Sequence, residues 1–544
     1  MSIYERFCTC TEDENGALKK IDIHYNDNFN FAYDVVDEIA RENPGKRAIV
    51  WCNANDEERI FTFSDVMKES NRYANALSSL GIRKGDYVML CLKKHYEYWF
   101  VSTALHKLGA VMVPVTHMLR VDDFKYRFTT ADIKAVVTTE ENDVPARIRE
   151  ALSEAGKEAV LMSIREDVDG FINLSKLKEA SSDEMERVET NVKDSMMMYF
   201  TSGTTGYPKG VIHDFSYPLA HIVTAKYWQR AEDDGLHFTV AETGWAKASW
   251  GKMYGQWLVG SAVMVYDFDN FDPKMLTQVI NKYKVTSFCA PPTVYRYLVK
   301  KGAPAMPSLK HAATAGEYLN PEIFKKFYEK TGLYLNEGYG QTETTLLSAN
   351  YKGIKNKEGS MGVASPLYNL RLIDKEGNEV EPGEIGEIVI VPENGEKPIG
   401  VFSAYLNDPE LYENAWQGGV YHTGDSAWKD EDGYFWFHGR FDDIIKSGGF
   451  RIGPFEIENI LIKHEAVLEC SVVGIPDALR GQAIKAFIVL SHGYEPSQEL
   501  EKEIKEFTNS KLAEYKWIRY IEFTDELPKT ISGKIRKKAL KENR

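Results

Sequence analysis

The chain has 544 residues, more than one hydrophobic core usually supports, so several subdomains are expected. A hydrophobic content of 43% with 12% aromatics excludes a largely disordered protein. A net charge of −15 excludes a nucleic-acid-binding surface spread over the molecule, but leaves room for a local anion site.

The N-terminal stretch MSIYERFCTCTEDENG carries acidic residues where a signal peptide has an apolar run, and no segment approaches the ~18 apolar residues of a membrane span. The six cysteines (Cys8, Cys10, Cys52, Cys91, Cys289, Cys470) contain no C-x-x-C pair and read as free thiols. These features together lead to the expectation of a soluble cytoplasmic protein. From about residue 30 to 117 helix and strand patterns alternate. Residues 64–80 read as a helix ending at Gly81, 87–92 as a strand, 95–108 as a helix and 111–114 as a strand. Residues 196–200 form an apolar run that reads as a buried strand.

That strand opens into Thr201-Ser-Gly-Thr-Thr-Gly-Tyr-Pro-Lys-Gly210, the most informative stretch of the chain. Four hydroxyls, three glycines and one lysine in ten residues suit a polyphosphate, and they equally suit an ordinary surface loop. It is not a Walker A motif. Aligned on Gly203, Pro208 stands where that motif needs glycine and Gly210 where it needs Ser or Thr. Further on, Asn320 reads as a helix cap with Pro321 at the first helical position and Gly332 past the end, between strands near 311–315 and 333–336. Alternation of this kind implies helix-covered, mostly parallel sheets. After about residue 358 the pattern changes to short strands (370–374, 387–391, 434–439) joined by hairpin turns such as Asp430-Glu-Asp-Gly433, which is a fragment of a calcium loop without its remaining ligands. Beyond Arg440 the order is helix, two strands, helix, strand and a basic terminal helix. Glycine and acidic residues at 439–443 make a hinge plausible there.

Four more polar segments stand out: Tyr339-Gly-Gln-Thr-Glu343, Tyr421-His-Thr-Gly-Asp425, Arg440, and Pro528-Lys-Thr-Ile-Ser-Gly-Lys534. Each alone has an ordinary explanation in turn chemistry, helix capping or a solvated charge. In this order they resemble the AMP-forming adenylating superfamily of acyl-CoA synthetases, luciferases and peptide-synthetase adenylation domains. Glu242-Thr-Gly-Trp245, Ala290-Pro-Pro-Thr-Val-Tyr295, Pro398-Ile-Gly-Val-Phe402 and Gly449-Phe-Arg-Ile-Gly-Pro454 are closest to the medium-chain acyl-CoA synthetases.

The resemblance implies an α/β fold: a large N-terminal domain (1–441) of helix-covered, mostly parallel sheets with a small β-barrel-like subdomain (about 358–440), hinged to a mobile α+β domain (442–544). It implies an acid:CoA ligase that uses ATP, Mg²⁺ and coenzyme A and passes through an acyl-AMP. The partners implied are small molecules, with no nucleic acid and no membrane span, in a monomer or homodimer. Transfer of the acyl group to a carrier protein is an alternative, and a non-catalytic nucleotide-binding protein is another. By the resemblance, Thr201, Ser202, Gly203, Thr204, Thr205, Gly206 and Lys209 hold the β- and γ-phosphates. Glu343 is a magnesium ligand, and Thr342 contacts the α-phosphate. Gly316, Glu317, Glu337, Gly338, Tyr339, Gly340 and Gln341 surround the adenine or its edge. Asp425 takes the ribose hydroxyls, with Arg440 and Arg451 nearby. Lys534 is the catalytic cation of adenylation, and Asp442 is the hinge. Gly448, Gly449 and Phe450 border a pantetheine tunnel, and Arg480, Tyr515 and Lys516 meet the nucleotide end of coenzyme A.

Acetyl-CoA synthetases carry tryptophan where this chain has Gly340, so Gly340 implies an acyl pocket with more room. Trp245, Lys247 and Trp250 act in the opposite sense because they are bulky. The expected substrate is a short-to-medium monocarboxylic acid, branched and aromatic acids included.

Overall fold

The computed structural model describes residues 2–542 except 203–207, 301–304, 317, 318, 320, 441, 442, 444, 448, 449, 478, 479 and 531–534. The chain divides into two compact units, Met1–Asn369 with Pro392–Gly419, and Leu370–Val391 with Val420–Arg544.

The first unit is built on two large sheets. In the eight-stranded sheet, Val111–Pro114, Tyr87–Cys91, Ile133–Thr138, Val160–Ser163 and Ile172–Asn173 run parallel. Ser195–Ser202 joins them in parallel, and Pro208–Asp214 and Ala404–Tyr405 then add antiparallel. The nine-stranded sheet has six parallel strands, in the order Leu335–Gly340, His311–Ala315, Ser287–Ala290, Leu236–Thr239, Ala262–Asp267 and Arg47–Asn53. Antiparallel strands close both ends of it.

Local chemistry explains the expected elements. Thr62 caps the Phe63–Ser79 helix by accepting from Asp65 N, while the Asp65 carboxylate returns a bond to Thr62 N. The Glu97–Leu108 helix stops at Gly109, which takes the left-handed conformation at φ 69°. Every residue of Ala262–Asp267 and Ser287–Ala290 is buried, as expected for parallel strands covered on both faces. Helix residues such as Leu276, Ile280, Tyr295 and Leu298 pack with Val50, Phe238, Met264 and Phe288 into one of the cores. The Pro321–Thr331 helix forms as expected, and its expected cap, Asn320, lies outside the described residues.

In the second unit, Asn369–Ile373, Ile385–Val391, Tyr421–Lys429 and Phe435–Arg440 form an open four-stranded sheet. Among the described residues this β-rich segment does not close into a barrel. The Asp430–Gly433 turn joins two of its strands, with Asp430 Oδ1 accepting from the backbone of Asp432 and Tyr434. The rest of the unit is a five-stranded sheet with the Pro454–Leu461 and Gln498–Asn509 helices packed around Ile445, Val472, Ile484 and Ile488.

Candidate active site

The expected phosphate loop leaves the carboxyl end of Ser195–Ser202, the edge at which open α/β sheets present ligand sites. It is a hairpin connection. The chain returns at once as Pro208–Asp214, with Thr201 opposite Lys209 and Ser202 opposite Pro208. Gly203, Thr204, Thr205 and Gly206 lie outside the described residues. The Lys209 ammonium stands 4.7 Å from the centre of the Tyr405 ring, and the Tyr405 hydroxyl donates to Glu343 Oε1 at 3.0 Å. Phe402 N donates to the Glu343 carbonyl at 2.7 Å. Tyr405 therefore brings the loop lysine and the expected magnesium ligand to one place, although nothing in the local sequence marks it. His213 is a second residue missed by sequence reasoning. It is on the returning strand, and its Nε2 lies 2.7 Å from the Thr342 carbonyl. Burial pushes its pKa down to about 4, so at neutral pH the ring is uncharged and Nε2 carries the proton that it donates.

At the carboxyl edge of the nine-stranded sheet, Gly316 follows His311–Ala315 with φ 97°, a conformation that favours glycine. Glu317 is outside the described residues. Lys247 Nζ donates to the Ala315 carbonyl at 2.7 Å, which gives this half-buried ammonium a partner. On Leu335–Gly340 alternate residues face opposite ways. Glu337 is buried, and burial holds its carboxyl well above the usual range. The Leu319 N–H bonds to this carboxyl group, but Oε2 has no hydrogen-bond partner among the described residues. A buried acceptor left open at a strand's carboxyl end fits a ligand N–H. Tyr339 follows on the same face, and Gln341 lies just past the end of the strand.

The other face corrects the reading of Gly338 and Gly340. A Cβ at Gly338 would sit 2.6 Å from Trp228 Cε2, and one at Gly340 would overlap Trp250 Cη2 and the Thr345 carbonyl. Two indoles thus occupy the two glycine positions, packed edge to face at 6.5 Å. The room that Gly340 was expected to leave for an acid is filled by Trp250, which is 7% exposed. Trp250 is positioned by its short helix, Ala246–Gly251. Gly244 lies against the Val115–Thr116 backbone, and Gly251 lies against the Thr239 side chain. This clamps the segment between the strand ends of the two sheets. Trp245, at the start of the helix, is half-buried.

In the second unit Asp425 and Arg440 face each other in register, with Nη1 to Oδ1 at 3.5 Å. Thr423 Oγ1 donates to the Ile388 carbonyl and accepts from Asp425 N, which holds the turn that presents the buried Asp425. Arg451 and Phe450 lie on the strand Phe450–Ile452. Arg480 is at the turn before Gly481–Leu490, where its backbone N–H bonds to Asp477 Oδ1. Tyr515 is exposed. Lys516 corrects another expectation: its ammonium is already held by both Glu456 oxygens at 2.6 and 2.7 Å, so it is not a free cation for coenzyme A. Asp442, Gly448, Gly449 and Lys534 lie outside the described residues.

Comparison with known proteins adds to this geometry. A family described as AMP-binding enzyme matches residues 36–405, and its C-terminal domain matches residues 456–534. The human mitochondrial acyl-coenzyme A synthetase ACSM3 is 38% identical over 527 residues, covering 94% of this chain and 89% of the relative. Human mitochondrial ACSM5 is 39% identical, covering 94% and 90%. The crystal structure of the anthranilate CoA ligase AuaEII with anthranoyl-AMP superposes with a TM-score of 0.85 at 28% identity, covering 95% of this chain and 97% of that one. An acyl-CoA synthetase from Brucella canis gives 0.71 at 31% identity, covering 94% of each. The mitochondrial relatives overturn the expectation of a cytoplasmic protein. Composition, thiol pattern and the absence of a long apolar run do not encode a compartment.

Proposed function

The chain belongs to the AMP-binding enzyme family, and we propose that it works as an AMP-forming acid:CoA ligase on a compact carboxylic acid. The observation that carries this reading is the convergence of Lys209, Tyr405, Glu343 and Thr342 at the carboxyl edge of one sheet, with the open Glu337 acceptor at the carboxyl edge of the other.

In the first step a carboxylate approaches a polyanion. Two like charges ~4 Å apart near a protein surface repel by about 4 kcal/mol at an effective dielectric of 20. Lys209 and the backbone of the Thr201 loop offset that repulsion on the pyrophosphate side, and Lys534 does so between the acid and the α-phosphate. A lysine suits the second position because it is a point charge on a flexible stem. Among the described residues no cluster of three His, Cys, Asp or Glu side chains exists to cage a metal. Glu343 alone is a fitting donor, because Mg²⁺ takes one or two carboxylates and completes its shell from phosphate oxygens and water. The ion would supply charge neutralisation on the phosphates. The neutral His213 ring fixes the Thr342 carbonyl and so orients the turn that carries Thr342 and Glu343. Glu337 Oε2 accepts from the adenine amino group, and Asp425 accepts from the ribose hydroxyls.

Coenzyme A then displaces AMP, with Asp442 as hinge and the Gly448–Gly449 backbone leaving space for pantetheine. Trp250 ends the acyl pocket, so the acid is short, branched or a single ring.

Lys534→Ala separates the two steps. It abolishes acyl-AMP formation from ATP and acid, yet spares the conversion of supplied acyl-AMP and coenzyme A to the thioester. Equal loss of both rates would sink the assignment. Failure of the wild-type enzyme to convert supplied acyl-AMP would sink the ligase reading.

A further inference from the structure

The opposite, amino-terminal edge of the nine-stranded sheet holds a cavity of about 460 Å³, in the range of small-molecule sites. It lies where His311–Ala315 and Leu335–Gly340 begin, and residues 353–356 form one of its walls. Asn336 in this cavity stands four positions before Gly340, roughly 13 Å along an extended strand, and its side chain points to the face opposite that of its neighbour Glu337. The cavity is therefore separate from the site described above.

Its walls are basic. Lys310 is balanced by Glu232, with Nζ to Oε2 at 2.6 Å. His311 is uncharged: its ring bonds to the Trp228 carbonyl at 2.7 Å and to Asn336 Nδ2 at 3.3 Å, and burial drives its pKa down to about 3. Arg230 has no such balance. Its backbone is left-handed at φ 49°, which a non-glycine residue seldom adopts, and it lines the cavity. No carboxylate or carbonyl among the described residues accepts from its guanidinium, and Nε is buried without a partner. A guanidinium cannot shed its proton at neutral pH. A half-buried cation with no counterion is better satisfied when a ligand supplies one. Beside it, Asn356 Nδ2 donates to Asn336 Oδ1 at 3.1 Å, which leaves the buried Asn356 Oδ1 as an unused acceptor. The cavity thus asks for an anion and for a hydroxyl donor in one molecule.

We propose that this cavity binds a small phosphate-bearing, hydroxylated anion, with the phosphate on Arg230 and a hydroxyl on Asn356. Phosphate fits because its several acceptor oxygens can take the fork of guanidinium donors. A phosphate monoester, unlike inorganic phosphate, carries sugar hydroxyls for the amide.

The test is titration calorimetry on the full chain with ribose 5-phosphate, inorganic phosphate and ribose, none of which takes part in the ligase reaction. Ribose 5-phosphate binds in the millimolar range or tighter, inorganic phosphate binds at least threefold more weakly, and ribose alone gives no heat. Arg230→Gln weakens ribose 5-phosphate at least tenfold and leaves kcat and KM for ATP unchanged, whereas Arg230→Lys retains binding to within about fivefold. If Arg230→Gln misfolds, Lys310→Gln reads the same cavity through a severalfold loss. Lys209→Ala leaves ribose 5-phosphate binding intact. Absence of binding to the wild-type chain overturns the proposal, as does binding insensitive to Arg230 and Lys310 or abolished by Lys209→Ala.

Discussion

Among the described residues, each edge of the nine-stranded sheet holds an ionisable group without a counterion, fully buried at one edge and half-buried at the other, and the two groups have opposite character. At the carboxyl edge it is Glu337, and at the amino edge it is Arg230. A carboxyl can escape an unfavourable burial by keeping its proton, and burial pushes the Glu337 carboxyl in that direction. A guanidinium has no such escape. The amino edge keeps a standing demand for an anion. The same strands present opposite electrostatic requirements at their two ends, so the direction of a parallel strand alone does not settle what binds there.

The comparison breaks most easily at Trp250, the proposed wall of the acid pocket at the carboxyl edge. Trp250→Ala should raise kcat/KM for an acid two methylenes longer than the best wild-type substrate by about 100-fold relative to that substrate, at tenfold or more per methylene. An unchanged ranking of acids would place the end of the pocket elsewhere. Glu337→Leu should raise the KM for ATP about tenfold to a hundredfold, because the ligand donor loses its acceptor. Glu337→Gln keeps a neutral acceptor and should stay within a few-fold of wild type. Equal effects of the two would show that Glu337 acts through packing alone.

A smaller effect concerns stability. Glu337 ionises near pH 4.5 when unfolded and at a much higher pH when folded. Between those values the folded state binds the extra proton, so this residue's contribution falls as pH rises. Thermal unfolding of wild type and Glu337→Gln should therefore diverge as pH rises above about 4.5, with the variant gaining up to ~1.4 kcal/mol per pH unit. Parallel curves would contradict a buried, proton-holding Glu337.

Much of the fold was legible where the signal is local. The helices over 64–80 and 95–108, the Pro321 helix start and the apolar run at 196–200 each report through a few neighbouring residues. The β-rich change after residue 358 was likewise visible in its turns. The site was legible as motifs but not as contacts. Tyr405 meets Lys209 and Glu343 from about two hundred and about sixty residues away, and no periodicity announces such a meeting. Gly340 implied room and the bulk of Trp250 opposed it, and only the fold decides between them: Trp250, ninety positions earlier, fills the volume beside Gly340. Lys516 looked like a surface cation until the fold placed Glu456 beside it. The Arg230 cavity was invisible for the same reason, since its walls come from four separate segments.

The most direct test of the account is pyrophosphate release from ATP across a panel of acids of graded length and width, with and without coenzyme A. The account predicts release only with a compact acid present, and conversion to acyl-CoA and AMP when coenzyme A is added. Acid-dependent release that yields no acyl-CoA, or release that grows with long linear chains, would contradict it.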